Sequence, residues 1–409
     1  MTHRLYYTRP QLHEFDSVVE EVLHPSEGQA RPGLILKETA FYPTSGGQIY
    51  DTGWLTGQAA EKVRVAEVVD REDGRIVHYL EAPVKLVPGD AIRGTIDAGR
   101  RQDHMQQHSG QHVLSAAFLE LYQIPTVSFH MGDESCTIDL TAASLTAEQV
   151  SGAERRANDI VAENRPVTIR FVSRAEAEKL GLRKLPPADR EELRLIEVAD
   201  FDLSACGGTH VNATGEIGCI LLRKTETVKQ GMRVEFVCGG RAVRTARRDY
   251  LALYDGARLF STQLWDVPEQ IRKSMDELKS VRKQREEALE ELAGAMAQAA
   301  LQEQTESGGR KMIVRCFQDR DIAFAKLFAQ RVVRGASPAL ALVASTLDPP
   351  GIVFAQAVGG PLDMGALLKR VLSTVGGRGG GARDFAQGGL PKGADADALL
   401  QAAVGTIGT

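Results

Sequence analysis

Two clusters of metal-ligating residue types lie far apart in this chain, and they can serve one ion only in a fold that brings a helix against a loop. The first is His104-Met-Gln-Gln-His108-Ser-Gly-Gln-His112, with histidines at four-residue intervals. It sits in a proline-free run from Arg100 to Tyr122 whose apolar Val113, Leu114, Ala117, Phe118 and Leu119 predict an amphipathic helix. Residues four apart stack on one helix face, so two imidazoles can reach one ion. The second is Asp202-Leu-Ser-Ala-Cys206-Gly-Gly-Thr-His210, where the glycine pair lets the backbone bend and turn thiolate and imidazole the same way.

Either cluster alone is weak evidence, because a lone His-x-x-x-His is commonly surface chance and a lone Cys a small buried residue. Together His108, His112, Cys206 and His210 offer three nitrogens and one sulfur, a set suited to tetrahedral Zn2+ and ill suited to magnesium or calcium. Four protein ligands are usual for structural zinc, whereas catalytic zinc keeps an open position; chemistry here requires a loose ligand or a five-coordinate shell. His104 is expected on the same face as a catalytic-site residue, outside the ligand shell or facing substrate. His130 is a candidate for the pocket wall, with an ordinary satisfied histidine an equal alternative. Asp202, near the metal loop, reads as a turn or capping group.

With 409 residues, two to four domains of about 100–200 residues are expected. A net charge of -5 excludes a protein that coats nucleic acid by bulk positive potential, so RNA contact must be local. Five cysteines are too few for a disulfide framework and fit a reducing compartment. No signal-like N-terminus and no apolar run of about 20 residues is present, so a cytoplasmic protein without a membrane partner is expected.

The expected architecture is α+β and multidomain. Residues 1–98 carry short β-type segments (Leu34-Ile-Leu-Lys, Val63 to Val69, Arg75 to Leu80) and predict a small β-barrel. Residues 99–250 alternate helices and strands and predict an α+β zinc domain. Residues 251–306 predict a long helix. Leu264, Ile271, Leu278, Leu292 and Ala299 share one heptad position; Val267, Val281, Ala288 and Ala295 share another. The seam suits a coiled coil or, equally, a hairpin packed within the chain. Residues 307–409, after a turn at Ser307-Gly-Gly, predict an α/β module with glycines concentrated at Gly376-Gly-Arg-Gly-Gly-Gly.

The loop Phe41-Tyr-Pro-Thr-Ser-Gly-Gly-Gln48 compresses hydroxyls, a glycine pair and a glutamine into one turn. Gly46 and Gly47 permit close backbone approach, and Thr44, Ser45 and Gln48 offer hydrogen-bonding groups to a ligand, although a Gly-Gly turn is commonly only a hairpin.

In this order, the Phe41-to-Gln48 loop, His108-Ser-Gly-Gln-His112, Cys206-Gly-Gly-Thr-His210, Gly376-Gly-Arg-Gly-Gly-Gly and Ala386-Gln-Gly-Gly resemble the editing half of alanyl-tRNA synthetase. They resemble equally the free-standing alanyl-tRNA editing proteins of the AlaX type, in their long form. The resemblance implies a trans-acting deacylase, without an aminoacylation core, that hydrolyses the ester joining a wrong amino acid to tRNA(Ala): chiefly serine, with glycine a second cargo. It implies Zn2+ on His108, His112, Cys206 and His210, Thr44 as the group that senses the serine hydroxyl, and Gln48 closing the same motif. The C-terminal stretch, of the DHH-associated type, is implied to contact tRNA through Arg378 and Gln387, and a homodimer is expected through it and the long helix.

Basic residues expected to follow the tRNA backbone are Arg100, Arg101, Arg155, Arg156, Arg223, Lys224, Arg241 and above all Arg244, Arg247 and Arg248. Two readings compete: a non-catalytic tRNA-binding protein stapled by zinc, and a zinc hydrolase of another aminoacyl ester.

Overall fold

The computed structural model describes residues 1–25, 30–57, 62–180, 182, 192–229, 231–304 and 310–407. The turn expected at Ser307-Gly-Gly lies outside them. The chain divides into two compact units, Met1–Asp255 and Gly256–Thr409.

The first unit opens with β1 (His3–Arg4), β2 (Glu14–Leu23), β3 (Gly33–Leu36), β4 (Glu38–Thr39), β5 (Gly53–Gly57), β6 (Lys62–Asp70), β7 (Ile76–Leu80) and β8 (Ala91–Ile96). Six of these close a barrel in the order β2-β3-β7-β6-β5-β8. Period-two alternation drives the closure: Phe15 and Val19, Val63 and Val65, and Ile92 and Ile96 all point into one core with Leu34, Leu36 and Leu55.

After the barrel come α1 (Ala98–Tyr122), β9 (Thr126–Met131), β10 (Cys136–Leu140), α2 (Ala147–Ala162), β11 (Val167–Ser173), α3 (Arg174–Ala177), β12 (Glu192–Val198), β13 (Asp202–Ala205), β14 (Ile220–Val228) and β15 (Gly231–Cys238). They form a four-stranded sheet, β14-β15-β10-β9, and a three-stranded sheet, β11-β12-β13. The helix α1 starts at Asp97, whose carboxylate accepts from the Arg100 amide, and ends at Gln123 in the left-handed region. It is buried from Gln107 to Phe118, apolar side chains and imidazoles alike.

One ion pair ties the barrel to this helix. Arg101 and Asp51 are both fully buried; the guanidinium Nε donates to Asp51 at 3.2 Å, and the other nitrogens donate to the Pro10 and Ala40 carbonyls at 2.6 Å. Asp51 in turn accepts from the Tyr42 amide at 2.7 Å, beside the glycine-rich turn. The expected tRNA-facing role of Arg101 is therefore corrected: its donors are consumed inside the protein.

The helix α4 (Gly239–Leu259) runs past the unit boundary, and the second unit continues with α5 (Val267–Glu303), β16 (Lys311–Phe317), α6 (Ile322–Gly335), β17 (Ala339–Ser345), β18 (Gly351–Gln356), α7 (Met364–Ser373), β19 (Arg378–Gly381), β20 (Phe385–Gly389) and α8 (Ala396–Ile407). The sheet order is β16-β17-β18-β20-β19, with β16 parallel to β17 and the other pairs antiparallel. Alternate residues of β17 and β18 feed two cores: Ala341, Val343 and Val353 meet α5 and α6, while Leu340, Leu342 and Phe354 meet α7 and α8.

The long helix forms as expected, but the chain buries a different face. Ala293, Ala297 and Leu301 pack on Phe324, Phe328 and Val332 of α6, whereas Ile271, Leu278 and Val281 of the expected seam are 44%, 50% and 52% exposed. Small alanines at i and i+4 let the last turns of α5 approach the phenylalanines of α6. Within the glycine concentration that begins at Gly376, Arg378–Gly381 pairs with β20 as an edge strand.

Removing one partner of a buried pair leaves the other charge uncompensated. Asp51→Ala is expected to cost about 3–5 kcal/mol in chemical denaturation of the whole chain. A loss below about 1 kcal/mol would show that Arg101 finds water or another acceptor.

Candidate metal centre

The four expected ligands converge. The ligand atoms of His108, His112, Cys206 and His210 all lie within 4.8 Å of one another, although they come from α1 and from the loop after β13. Cys206 Sγ is 3.3 Å from His108 Nε2 and 3.4 Å from His210 Nε2. Bonds of about 2.3 Å to sulfur and about 2.0–2.1 Å to nitrogen put S and N roughly 3.5 Å apart in a tetrahedron, so the donor set fits Zn2+ in both chemistry and spacing.

Each imidazole is oriented from behind. The Nδ1 of His108 is 2.8 Å from Gln48 Oε1, that of His112 is 3.1 Å from Asp202 Oδ2, and that of His210 is 3.1 Å from Ser109 Oγ. With Nδ1–H directed at these acceptors, every Nε2 lone pair faces inward, the arrangement that fixes the metal-binding tautomer. Asp202 is thus a partner of His112, and the reading as a turn or cap is corrected. A signal was present: in an extended segment Asp202, Ser204 and Cys206 share one face, and Ser204 Oγ does donate to Asp202 at 3.0 Å. Ser109 and Thr209, invisible as site residues in the sequence, complete the shell; Gln48 Nε2 donates to Thr209 Oγ1 at 2.9 Å, and Gln48 Oε1 accepts from the Thr209 amide at 3.1 Å.

Two glycine segments make this packing possible. Ser45 and Gln48 exchange backbone hydrogen bonds of 3.0 and 2.9 Å across Gly46 and Gly47, whose φ values are 56° and 83°. This is a type I′ turn, and it drives Gln48 inward until its side chain is fully buried. A Cβ on Gly208 would stand 2.1 Å from His108 Cε1, so only glycine lets the second loop close over the ligand. Thr44, Ser45 and Gly46 stay exposed and Gly47 half-buried.

Burial opposes charge throughout the centre, and its neighbours decide the outcome. Burial resists ionisation of the Cys206 thiol, but the imidazoles around it, His108 foremost and His112 by hydrogen bonding, hold its pKa well below the ordinary thiol range. Burial likewise opposes protonation of His112, yet Asp202 and the Cys206 thiolate lift it to about 9. Burial pushes His210 down to about 3.

His104 is almost fully buried one turn before His108. Burial, reinforced by Arg100, Arg241 and Arg101, lowers it to about 3, so it is a neutral imidazole, and its Nδ1 has no hydrogen-bond partner among the described residues. His130 is exposed on β9. The basic residues separate cleanly. Arg241 is buried against Asp103 at 2.6 Å, which corrects its expected tRNA role. Arg156, Arg223 and Lys224 are paired with Glu120, Asp249 and Glu226. Arg100 donates to the Tyr50 carbonyl at 2.9 Å. Arg155, Arg244 and Arg247 remain exposed, Arg248 is exposed but lies 3.8 Å from the Asp249 carboxylate that Arg223 also meets, and Arg378 and Gln387 are exposed on β19 and β20.

Two outcomes test the centre. Zinc must displace the His112 proton while Cys206 is already ionised, so apparent zinc affinity should rise about tenfold per pH unit from about 7 towards 9; a flat profile would contradict the His112–Asp202 arrangement. Gln48→Ala and Asp202→Ala should each weaken zinc about 10–100-fold in competition with a chelator, the usual loss when an imidazole loses its orienting acceptor.

Family models match three stretches of the chain: tRNA synthetases class II (A) over residues 7–100, the threonyl and alanyl tRNA synthetase second additional domain over 193–234, and the DHHA1 domain over 335–409. The alanine–tRNA ligase of Halorubrum lacusprofundi is 35% identical over 410 residues, covering 97% of this chain and 42% of that protein. The ligase of Thermococcus kodakarensis is 32% identical over 95% of this chain and 41% of that protein, so the chain spans less than half the length of these ligases. The alanyl-tRNA editing protein AlaX-L of Pyrococcus horikoshii is 30% identical over 394 residues, which make up 95% of this chain and 94% of that protein. With nearly the whole length of both proteins aligned, this chain belongs to the AlaX-L family of alanyl-tRNA editing proteins.

Proposed function

We propose that this protein is a zinc-dependent hydrolase that removes wrongly attached amino acids from tRNA(Ala), chiefly serine and also glycine. The observation that carries the reading is the convergence of His108, His112, Cys206 and His210, each imidazole backed by its own acceptor, in a chain that aligns end to end with a protein named as an alanyl-tRNA editing protein.

A pocket sized for alanine cannot exclude glycine by size and rejects an added hydroxyl weakly, so a second hydrolytic site is needed for fidelity. When bound, Zn2+ supplies Lewis-acid chemistry, either acidifying a water or holding the amino acid and polarising its ester. The chain's own residues do the rest. Gln48, Asp202 and Ser109 hold the ligand imidazoles. Thr44, exposed on the turn, is assigned the role of meeting the serine hydroxyl, with Ser45, Gly46 and Gly47 offering backbone and hydroxyl contacts. His104, kept neutral and with a buried Nδ1 that has no partner among the described residues, is assigned to the catalytic site as a hydrogen-bonding group on this reading. Arg244, Arg247 and Arg248 meet RNA phosphates, as do Arg378 and Gln387 in the glycine-rich module.

A division into barrel (1–98), editing domain (99–250), long helix (251–306) and C-terminal module (307–409) belongs to this proposal, although α4 runs unbroken through residue 250. A homodimer through the exposed Ile271, Leu278 and Val281 face of α5 and the C-terminal module belongs to the same proposal.

One observation favours the rival reading of a zinc-stapled RNA-binding protein: all four ligands are supplied by the chain, the usual shell of structural zinc. The deciding experiment follows release of serine from Ser-tRNA(Ala), with Ala-tRNA(Ala) and Ser-tRNA(Ser) alongside, for the native protein and Cys206→Ala. Release from the mischarged species alone, lost in the variant, is expected. No release by a folded, zinc-loaded protein would leave the structural-zinc reading; equal cleavage of all three would leave a general aminoacyl-ester hydrolase.

A further inference from the structure

On the surface of the first unit, α2, the start of β14 and α4 enclose an open groove of about 760 Å³. Its floor and one wall are apolar: Ile220, Leu221, Ala242, Val243 and Ala246 line it, with Val243 65% exposed. Its polar floor groups are already committed. Asn158 Oδ1 accepts from the Ile220 amide at 2.9 Å while its Nδ2 donates to the Ile220 carbonyl at 2.8 Å, and Glu154 Oε1 accepts from the Leu222 amide at 2.7 Å. These bonds pin the strand edge and leave little for a ligand.

What remains free at the rim is cationic and aromatic. Arg155 and Arg247 line the groove, and among the described residues neither has a carboxylate within ion-pair distance, in contrast to nearby Arg156 and Arg223, which are both paired. The Arg247 guanidinium lies over the Tyr250 ring, 5.6 Å from its centroid. Tyr250 itself stacks on Tyr254, with centroids 6.0 Å apart and planes 15° from parallel, and both rings are more than 40% exposed. In a chain of net charge -5, two unpaired guanidiniums beside a rigid exposed aromatic pair and an apolar floor fit a flat apolar group attached to phosphates.

We propose that this groove is a nucleotide-binding subsite for the RNA, taking one unstacked base against Tyr250 and Val243 and its flanking phosphates on Arg155 and Arg247. The inference rests on the reading of the protein as one that acts on tRNA, but it concerns a surface distinct in composition from the metal centre and is testable without hydrolysis. Cys219, an exposed free thiol lining the same groove, provides a local reporter.

The test uses the full chain loaded with zinc and an uncharged, fluorescently labelled tRNA(Ala) transcript. Tyr250→Ala is expected to weaken binding about tenfold, the scale of one lost base–aromatic stack, and Tyr250→Phe to retain it. Arg155→Ala with Arg247→Ala should reduce the slope of log affinity against log salt by roughly 1.5, as two lost phosphate contacts require. Bound transcript should slow alkylation of Cys219 by N-ethylmaleimide about fivefold or more, read by mass spectrometry with Cys219→Ser as control. All these side chains are exposed, and unchanged zinc content and circular dichroism confirm that the variants fold. Unchanged affinity and salt slope in the variants, unchanged Cys219 alkylation under saturating transcript, or no binding of the transcript by the native protein would each overturn the proposal. A protein that binds RNA through this groove yet releases no amino acid would keep the subsite and reject the editing reading. Active editing with groove variants that bind normally would do the reverse.

Discussion

Everything in the first unit depends on keeping a polar helix buried. The face of α1 that carries His108 and His112 would be costly to remove from water unless its polar groups met partners, and the Arg101–Asp51 pair begins that accounting. By drawing the start of α1 onto the barrel, the pair brings the glycine-rich turn of one layer under the metal-ligating helix of the other. Asp51 and Gln48 are three residues apart, so the same short segment anchors the helix and orients its first ligand. A defect in the anchor is therefore transmitted directly to the centre.

The centre itself is a case of satisfied polarity rather than of four ligands alone. Three different acceptors, an amide oxygen, a carboxylate and a hydroxyl, stand behind three imidazoles. The carboxylate sits behind His112, the imidazole whose basicity is raised, and the uncharged serine sits behind His210, which burial keeps neutral. That asymmetry makes His112 the most basic of the three imidazoles and the one whose proton a metal must displace. Cys206 is held further from behind, where Arg194 Nη1 donates to its carbonyl at 2.6 Å.

The second unit obeys a different logic. Its central strands β17 and β18 are buried along their whole length and present alternate residues to helices on both faces, so the sheet needs no polar accounting beyond its ladder. The long helix contributes only its last third to this packing. Its middle keeps an exposed row of apolar residues, Ile271, Met275, Leu278 and Val281, that no described residue of the unit covers.

Much of the molecule was legible in its residues. Alternation marked the barrel strands, four-residue spacing marked the face of α1, and two glycines after Cys206 marked a loop able to return a second ligand, because all of these are local requirements of backbone geometry. The family resemblance rested on the same local motifs. What the sequence could not decide was which distant groups would meet. Asp202 became the partner of His112, Gln48 of His108 and Ser109 of His210 through contacts that join segments far apart in the chain. The heptad pattern of α5 was real but incomplete, since Ala293 and Ala297 were chosen by the shape of α6. Likewise Arg101 and Arg155 are the same residue type with no local distinction, and only the tertiary structure buries one in an ion pair and leaves the other exposed, with no carboxylate partner among the described residues, because burial and charge pairing are properties of neighbours in space.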